Sequence, residues 1–250
     1  MHHTDRDPSP LGAIPRVFVD LPPALGPQAT FGRSLWSLLP KDTALHLEDP
    51  MSAWPDGALV SLTWRCAPDD VPAPAGRAAA LVWTEPTEAA RQDWALAMRA
   101  WQTAHPGLTG LLRPTALPEP GDHRGLESLV ALSLQTGCPL AVDLHEALLR
   151  AHAAVRDTHA AMALVRQTVN QLPGTCVGRL EIGGQQRWHE PVAQADQRVP
   201  DALWDLVDEL CTHWGPKPLR IKWQGPAPAP AVLADEARLA HQAFSRADGS

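Results

Sequence analysis

Eight short apolar runs divide this chain, with turns or helical stretches between them. Several of the runs are apolar at consecutive positions, a pattern typical of strands that are covered on both faces. Such strands occur in parallel sheets flanked by helices. The predicted strands are Val17–Val19, Ala44–Leu47, Ala58–Thr63, Ala79–Trp83, Leu108–Leu112, Pro139–Asp143, Cys176–Ile182 and Leu219–Trp223.

Patterns of helical period fill most of the intervals between these runs. The predicted helices are Phe31–Leu39, Thr87–Ala104, Gly125–Gln135, His145–Gln171, Asp201–His213 and Ala231–Phe244. Gly137 and Gly215 follow two of them, at the place where glycine commonly ends a helix. Alternation of strand and helix over 250 residues indicates the α/β class and a (β/α)8 TIM-type barrel.

This barrel is expected to be abbreviated on one side. Between Leu47 and Ala58 there is room for about one helical turn. Residues 67–78 are rich in Pro, Ala and Gly and show no helical period. We expect a single barrel domain over residues 14–245, with disordered tails at residues 1–13 and 246–250.

Composition argues against several classes of partner. The chain has 21 basic and 28 acidic residues, a net charge of −7, so we expect no nucleic-acid partner. No apolar run approaches the roughly 20 residues of a membrane span, and the first ten residues lack the apolar core of a signal peptide. The four cysteines lack CxxC spacing and are expected to be buried thiols. These features predict a cytoplasmic protein without a membrane partner.

Three segments carry a resemblance to a known family. Residues 136–143, TGCPLAVD, resemble a strand that reads TGCGLLLD in that family. Val199–Trp204 followed by Trp214–Trp223 is similar to its ending VPDEVW…FGPVPTLIEW, and Leu47–Pro50 is similar to an early LEVHPEN. On these motifs the chain resembles the multinuclear non-haem iron-dependent oxidative enzymes (MNIO), the barrel family that includes the methanobactin-pathway iron oxidase.

The resemblance implies both an activity and a site. Enzymes of this family hold a cluster of irons at the C-terminal mouth of the barrel and oxidise residues of ribosomally made peptides, often with a peptide-binding partner protein. Carried over position by position, the iron site falls on Arg113, Asp143, Glu146, Glu181, Gln185 and Lys222. Only Asp143 keeps the family's residue. Arg113 and Lys222 stand where the family has glutamates, Glu181 and Gln185 where it has histidines, and Glu146 where it has asparagine.

These replacements predict a mouth without metal. Clustered iron needs imidazoles and carboxylates, whereas Arg and Lys side chains are positive and offer no lone pair. If Arg113 and Lys222 point inward beside Asp143, Glu146 and Glu181, ion pairs take the place of the metal charge. Strand alternation favours the inward direction for Lys222. Asp143 has a second interpretation, as the N-cap of the helix that follows it.

Two functional hypotheses follow from this site. The first is an MNIO-like barrel that has lost most iron ligands, needs no cofactor and does not catalyse. It would bind a precursor peptide or a protein, such as an active MNIO paralogue, in ribosomal-peptide maturation. The alternative is an enzyme with a rebuilt site that modifies a peptide. Either Asp143, Glu146, Glu181 and His189 hold a mononuclear iron, or Lys222 acts as a base beside carboxylates. A third reading, a sugar-phosphate-type barrel, has no phosphate motif in its support.

Histidines and tryptophans add two further expectations. His145, His152 and His159 recur every seven residues, about 10.5 Å apart on a helix, which is too far to share an ion. We expect them on a solvated face. Trp64 and Trp83, at strand ends on the abbreviated side, are the candidate contacts for a partner.

Overall fold

Eight parallel strands close into a barrel in the computed structural model, which describes residues 16–20, 29–40, 43–47, 60–64, 78–84, 86–87, 90–106, 108–186, 188 and 195–248. The strands are β1 (Val17–Asp20), β2 (Thr43–Leu47), β3 (Val60–Trp64), β4 (Ala78–Thr84), β5 (Thr109–Arg113), β6 (Leu140–Asp143), β7 (Val177–Ile182) and β8 (Leu219–Ile221). Each strand pairs with the next, and Val17 opposite Leu219 joins β1 to β8. The predicted TIM-type barrel is confirmed.

Helices alternate with the strands over most of the described chain. They are α1 (Ala29–Leu38), α2 (Arg91–Ala104), α3 (His123–Thr136), α4 (Leu144–Val155), α5 (Thr158–Val169), α6 (Asp201–Trp214) and α7 (Pro230–Asp248). Between β2 and β4 the described residues contain no helix, which fits the abbreviated side of the prediction. The connecting residues 48–59 and 65–77, like the predicted tail at 1–13, lie outside the described residues.

Alternate residues of the same strands enter two separate cores. One set joins a large apolar cluster with the helices: Val17, Val19, Leu45, Leu112, Leu140, Val142, Leu180, Ile182, Leu219 and Ile221. The other set points into the barrel, where Val82, Leu111 and Ala141 form a small apolar cluster of their own. The charged side chains of the described interior lie on the β5–β1 side, where the Arg179 guanidinium lies 5.5 Å from the Phe18 ring centre.

Two predicted boundaries are wrong. The single helix expected over His145–Gln171 is broken, because Arg156 adopts φ 56° and Asp157 caps a new helix by accepting a 2.7 Å hydrogen bond from the Ala160 N–H. The predicted C-terminal tail at 246–250 begins too early, because α7 continues to Asp248. Arg246 in its last turns lies 2.6 Å from Asp208 of α6, which ties the helix end to the barrel.

Smaller expectations agree with the structure. Gly137 and Gly215 follow α3 and α6 with φ 70° and 78°, where a Cβ would be strained. Cys138, Cys176 and Cys211 are buried free thiols. None of the described helices combines the length and apolarity needed to cross a lipid bilayer.

Candidate functional site: an ion-pair network at the barrel mouth

A buried ion pair joins the ends of β6 and β8. Lys222 follows β8, and its backbone N–H donates to the Ile182 carbonyl at 2.7 Å, so it continues the pairing with β7. Its Nζ lies 2.5 Å from Asp143 Oδ2, with the side chains 5% and 9% exposed. Asp143 Oδ1 also accepts the Glu146 backbone N–H at 2.9 Å. Asp143 is therefore both the N-cap of α4 and an ion-pair partner.

Glu181 of β7 is the centre of the network, because three guanidinium groups converge on its carboxylate. Arg113 from β5 donates to Oε2 at 2.8 Å, and Arg179 donates to Oε1 at 2.5 Å. Arg220 from β8 lies 3.2 Å from Oε2. Glu181 has no solvent exposure, whereas the Arg113 side chain is 16% exposed. Arg113 and Glu181 therefore meet inside the barrel, as the ion-pair hypothesis requires.

A second carboxylate, Asp20 at the end of β1, extends the network across the seam of the barrel. Arg220 donates to Asp20 in a bidentate arrangement, from Nε to Oδ1 at 2.6 Å and from Nη2 to Oδ2 at 2.9 Å. The backbone N–H of Trp223 also donates to Asp20 Oδ2 at 3.0 Å. Bidentate guanidinium–carboxylate pairs are directional as well as strong. This pair locks β1 to β8 where the barrel closes.

Charge pairing outweighs burial for both central carboxylates. Burial raises the pKa of Glu181, but the attraction of Arg113, Arg220 and Arg179 is stronger and holds it well below its usual range. For Asp143, burial likewise raises the pKa and the Lys222 ammonium lowers it below the ordinary value. Burial lowers the pKa of Arg179 to about 10, against the attraction of Glu181. Glu181, Asp143 and Arg179 are therefore charged at neutral pH.

His145 lies beside this network, and its predicted position on a solvated face is wrong. Its side chain is fully buried, since it sits in the first turn of α4 and its ring lies 5.3 Å from that of Trp188 in an edge-on arrangement. Among the residues that the structure describes, neither ring nitrogen meets a hydrogen-bond partner of good geometry. Burial and then the Lys222 charge lower the pKa of His145 to about 4, although Asp143 and Gln185 oppose this. The imidazole is neutral at pH 7.

A short return segment packs over the end of β7 next to Lys222. Gly184 forms an antiparallel bridge with Gln197, and the Gln197 N–H donates to the Gly184 carbonyl at 3.0 Å. A Cβ on Gly184 would lie 1.7 Å from the Arg198 carbonyl oxygen, so only glycine permits this approach. The Gln224 N–H donates to the Ala195 carbonyl at 2.6 Å. These contacts hold residues 195–198 against the mouth.

Two predicted site residues are placed differently from the expectation, and one is not described. Glu146 does not join the mouth, because its carboxylate lies 2.7 Å from Arg150 one turn along α4, with the two side chains 36% and 55% exposed. Trp83 is 1% exposed and packs edge-on against Trp101 at 4.6 Å, so it is a core residue and not a partner contact. His189 and the side chain of Trp64 lie outside the described residues.

The described donors do not fit a cluster of iron ions. Asp143 and Glu181 use their oxygens on Lys222, on a backbone N–H and on three guanidinium groups. Gln185 is buried at the mouth, but a neutral amide cannot offset the charge of a metal. Within the described part of the chain, no three His, Cys, Asp or Glu side chains are grouped in a way that could hold a metal ion.

Sequence reasoning missed three members of the network: Asp20, Arg179 and Arg220. A signal was available for the two arginines. Each stands two residues before a residue assigned to the mouth, Arg179 before Glu181 and Arg220 before Lys222, and side chains two apart on a strand share a face. Asp20 ends a strand and faces the same mouth, but nothing in the sequence links it to a residue 200 positions away.

Fold and site together define a parallel α/β barrel whose C-terminal opening is filled by buried ion pairs. Residues 122–245 match the family model described as RiPP precursor modification enzyme MbnB/TglH/ChrH, where RiPP denotes a ribosomally made, modified peptide. The resemblance read from the motifs is confirmed over residues 122–245, which match this family. The matched range runs from the N-cap of α3 into α7 and contains Asp143, Glu181 and Lys222, but not Arg113.

Other comparisons add little. No curated protein matches the chain. A solved structure with a similar fold is active domain 2 of the thermostable chitinase from Pyrococcus furiosus, studied as catalytic-site mutants with chito-oligosaccharides. The two are 11% identical over 95% of this chain and 97% of that one, with a TM-score of 0.47. Such a likeness says nothing about the activity of this chain.

Proposed function

We propose that this chain is a metal-free, non-catalytic member of its family that binds a precursor peptide or a protein, such as an active paralogue, during RiPP maturation. The observation that carries the proposal is the network at the mouth. Lys222 and Arg113 stand where the family resemblance implies iron-binding glutamates, and they pair with Asp143 and Glu181. The positive charges of these two side chains thereby take the place of the charge that a metal ion would supply.

Electrostatics make this network a barrier to metal. Four cations, Arg113, Arg179, Arg220 and Lys222, meet three carboxylates among the described residues of the interior. An incoming cation would have to displace a buried ammonium or guanidinium from its carboxylate and would leave that charge unpaired. Leaving one partner of a buried ion pair unpaired costs about 3–5 kcal/mol.

A rebuilt mononuclear site, the alternative function, finds less support. It requires Glu146 to join Asp143 and Glu181, whereas Glu146 is held by Arg150 on the surface of α4. The two remaining carboxylates are each bound to a cation. We therefore put forward binding and not catalysis as the function of the mouth.

Peptide binding draws on the family and on the exposed edge of the network. The family model describes enzymes that modify RiPP precursors. Arg113 has the most exposed side chain of the network and lies at the end of β5, on the face where barrels bind their ligands. A guanidinium at that edge can donate hydrogen bonds to a carboxylate or a carbonyl of a bound polypeptide.

Metal analysis of protein produced with excess iron tests the metal-free proposal. We expect well under about one iron per wild-type chain, and increased iron binding in Lys222→Glu, because that change removes the cation and adds a donor. Lys217→Glu, the same change five residues earlier outside the network, is the matched control and should leave iron content unchanged. If Lys222→Glu does not fold, Lys222→Met removes the charge without adding a like one beside Asp143.

A wild-type chain that keeps more than about one iron through dialysis against a chelator would refute the metal-free proposal. The binding part has its own test. Co-expression with a precursor peptide and with an iron-containing family member should give a stable complex by size exclusion. An inert monomer in both cases would refute it, whatever the iron content.

A further inference from the structure

The outer surface carries a groove that the mouth does not explain. It runs between α2 and α3 and encloses about 590 Å³. Pockets of about 300–1,000 Å³ are the usual size of ligand sites. The described lining is Arg91, Gln92, Ala95, Leu96 and Arg99 from α2, with Ser128, Ala131, Leu132 and Gln135 from α3. Its lining includes two small residues, Ala95 on α2 and Ala131 on α3, which leave space that larger side chains would fill.

Two exposed leucines stand on the helices that flank the groove, Leu96 in its lining and Leu134 next to the lining. Leu96 is 62% exposed on α2, and Leu134, beside the lining residue Gln135 on α3, is 70% exposed. They are the two most exposed large apolar side chains among the described residues. Beneath them, Ala95 and Leu132 belong to the buried core, so the floor of the groove is rigid. Exposed apolar side chains on adjoining helices can serve as contacts for a partner.

The charge of the groove is opposite to that of the chain. Arg91 and Arg99 both line it, and no carboxylate does so among its described residues, although the whole chain carries a net charge of −7. Arg91 Nη1 donates to Ser128 Oγ at 2.6 Å, and Arg99 Nε donates to the Gln135 backbone carbonyl. These bonds hold each guanidinium across the groove. The two arginines are eight residues apart on α2, which corresponds to about 12 Å.

We propose that the α2–α3 groove docks an acidic amphipathic helix of a partner polypeptide. Carboxylates about two turns apart on such a helix would match the spacing of Arg91 and Arg99, and two apolar side chains one turn apart between them would pack on Leu96 and Leu134. A second copy of this chain is a poorer occupant, because a two-fold pairing of groove on groove would bring the arginines of both copies together. This surface lies outside the mouth and does not depend on the metal-free proposal.

Fluorescence anisotropy with the full chain tests the proposal. The probe is a labelled synthetic helix of about 16 residues with two leucines one turn apart, flanked by glutamates two turns apart, and its twin carries lysines in place of the glutamates. We expect the acidic probe to bind at least about 10-fold more tightly than the twin, and more weakly at high salt. Arg99→Glu should reverse this preference, and Leu96→Ser should weaken binding of both probes. Arg238→Glu, a charge reversal at an exposed arginine of α7, should change neither affinity.

Three results would overturn the proposal. Equal affinity for the two probes would remove the role of charge, and an unchanged preference in Arg99→Glu would place binding elsewhere. Self-association of the chain that Leu96→Ser abolishes would assign the groove to a second copy. Thermal melts check that each variant folds. If Arg99→Glu does not, Arg99→Gln removes the charge, and loss of the preference for the acidic probe is then the expected result.

Discussion

The two cores of this barrel are built from the same strands on opposite principles. Leu180 and Glu181 are neighbours on β7, yet Leu180 enters the apolar layer beneath the helices and Glu181 enters a network of three arginines. The outer layer gains stability from apolar area removed from water, which does not depend on direction. The inner network depends on matched charge and geometry. Truncation of one apolar side chain in the outer layer therefore loses only the burial of that side chain. Removal of one charge from the inner network leaves several oppositely charged partners uncompensated.

Removal of the Glu181 charge tests the inner core and should have the largest effect. We expect Glu181→Gln to lower the free energy of unfolding by about 4 kcal/mol, because it leaves three guanidinium groups near an uncharged amide. Urea denaturation at pH 7 measures the change, and failure to fold is the extreme of the same result. The matched control is Glu209→Gln, which breaks an exposed pair with Arg166 and should cost about 1 kcal/mol or less. Equal costs for the two variants would contradict the contrast between the cores.

The neighbouring change, Leu180→Ala, tests the outer core. Leu180 is fully buried, so we expect a loss of about 3 kcal/mol from lost burial and the cavity that remains. This loss should hardly change with salt, because no charge is involved. Urea denaturation at low and at high salt measures it. A cost above that of Glu181→Gln would reverse the proposed order of the two cores.

The titration of His145 makes stability depend on pH, and its removal should have the smallest effect on the free energy of unfolding. Its folded pKa of about 4 is below the usual 6.5. The unfolded chain therefore binds the proton more readily, and stability falls as pH falls from about 6.5 towards 4. From pH 7 to pH 5 we expect this histidine alone to cost about 2 kcal/mol. His145→Phe should remove that part of the pH dependence and keep the packing on Trp188. His159→Phe, on the exposed face of α5, is the control and should leave the pH dependence of stability unchanged.

The acid range separates the histidine from the carboxylates. The pKa values of Asp143 and Glu181 are lowered, so these groups stabilise the fold above the ordinary carboxyl range, and that contribution is lost only as pH falls through their folded pKa values. For Glu181 the loss begins below about pH 4.5. A pH profile of His145→Phe that still falls between pH 7 and pH 5 as in the wild type would contradict the assignment to His145.

The positions of the strands were predictable because the pattern of apolar residues in the sequence follows the burial of their side chains. Leu140 and Val142 bury an outward face under the helices, while Ala141 fills the inside, so the run reads as continuously apolar. The inward direction of Lys222 followed from alternation alone. The break between α4 and α5 was missed, because Arg156 has no special tolerance for positive φ and the apolar period continues across it. His145 was misplaced because its face depends on Trp188, which approaches from another part of the chain.

The sequence by itself determined which strands form, that they alternate with helices, and that Lys222 faces the mouth. Local pattern determines these features, since burial and alternation act between near neighbours. Tertiary structure alone decided which charges meet. Arg220 and Asp20 stand 200 residues apart and become neighbours only because the barrel closes between β1 and β8. Closure sets these distances, and the strength of a buried ion pair depends on them.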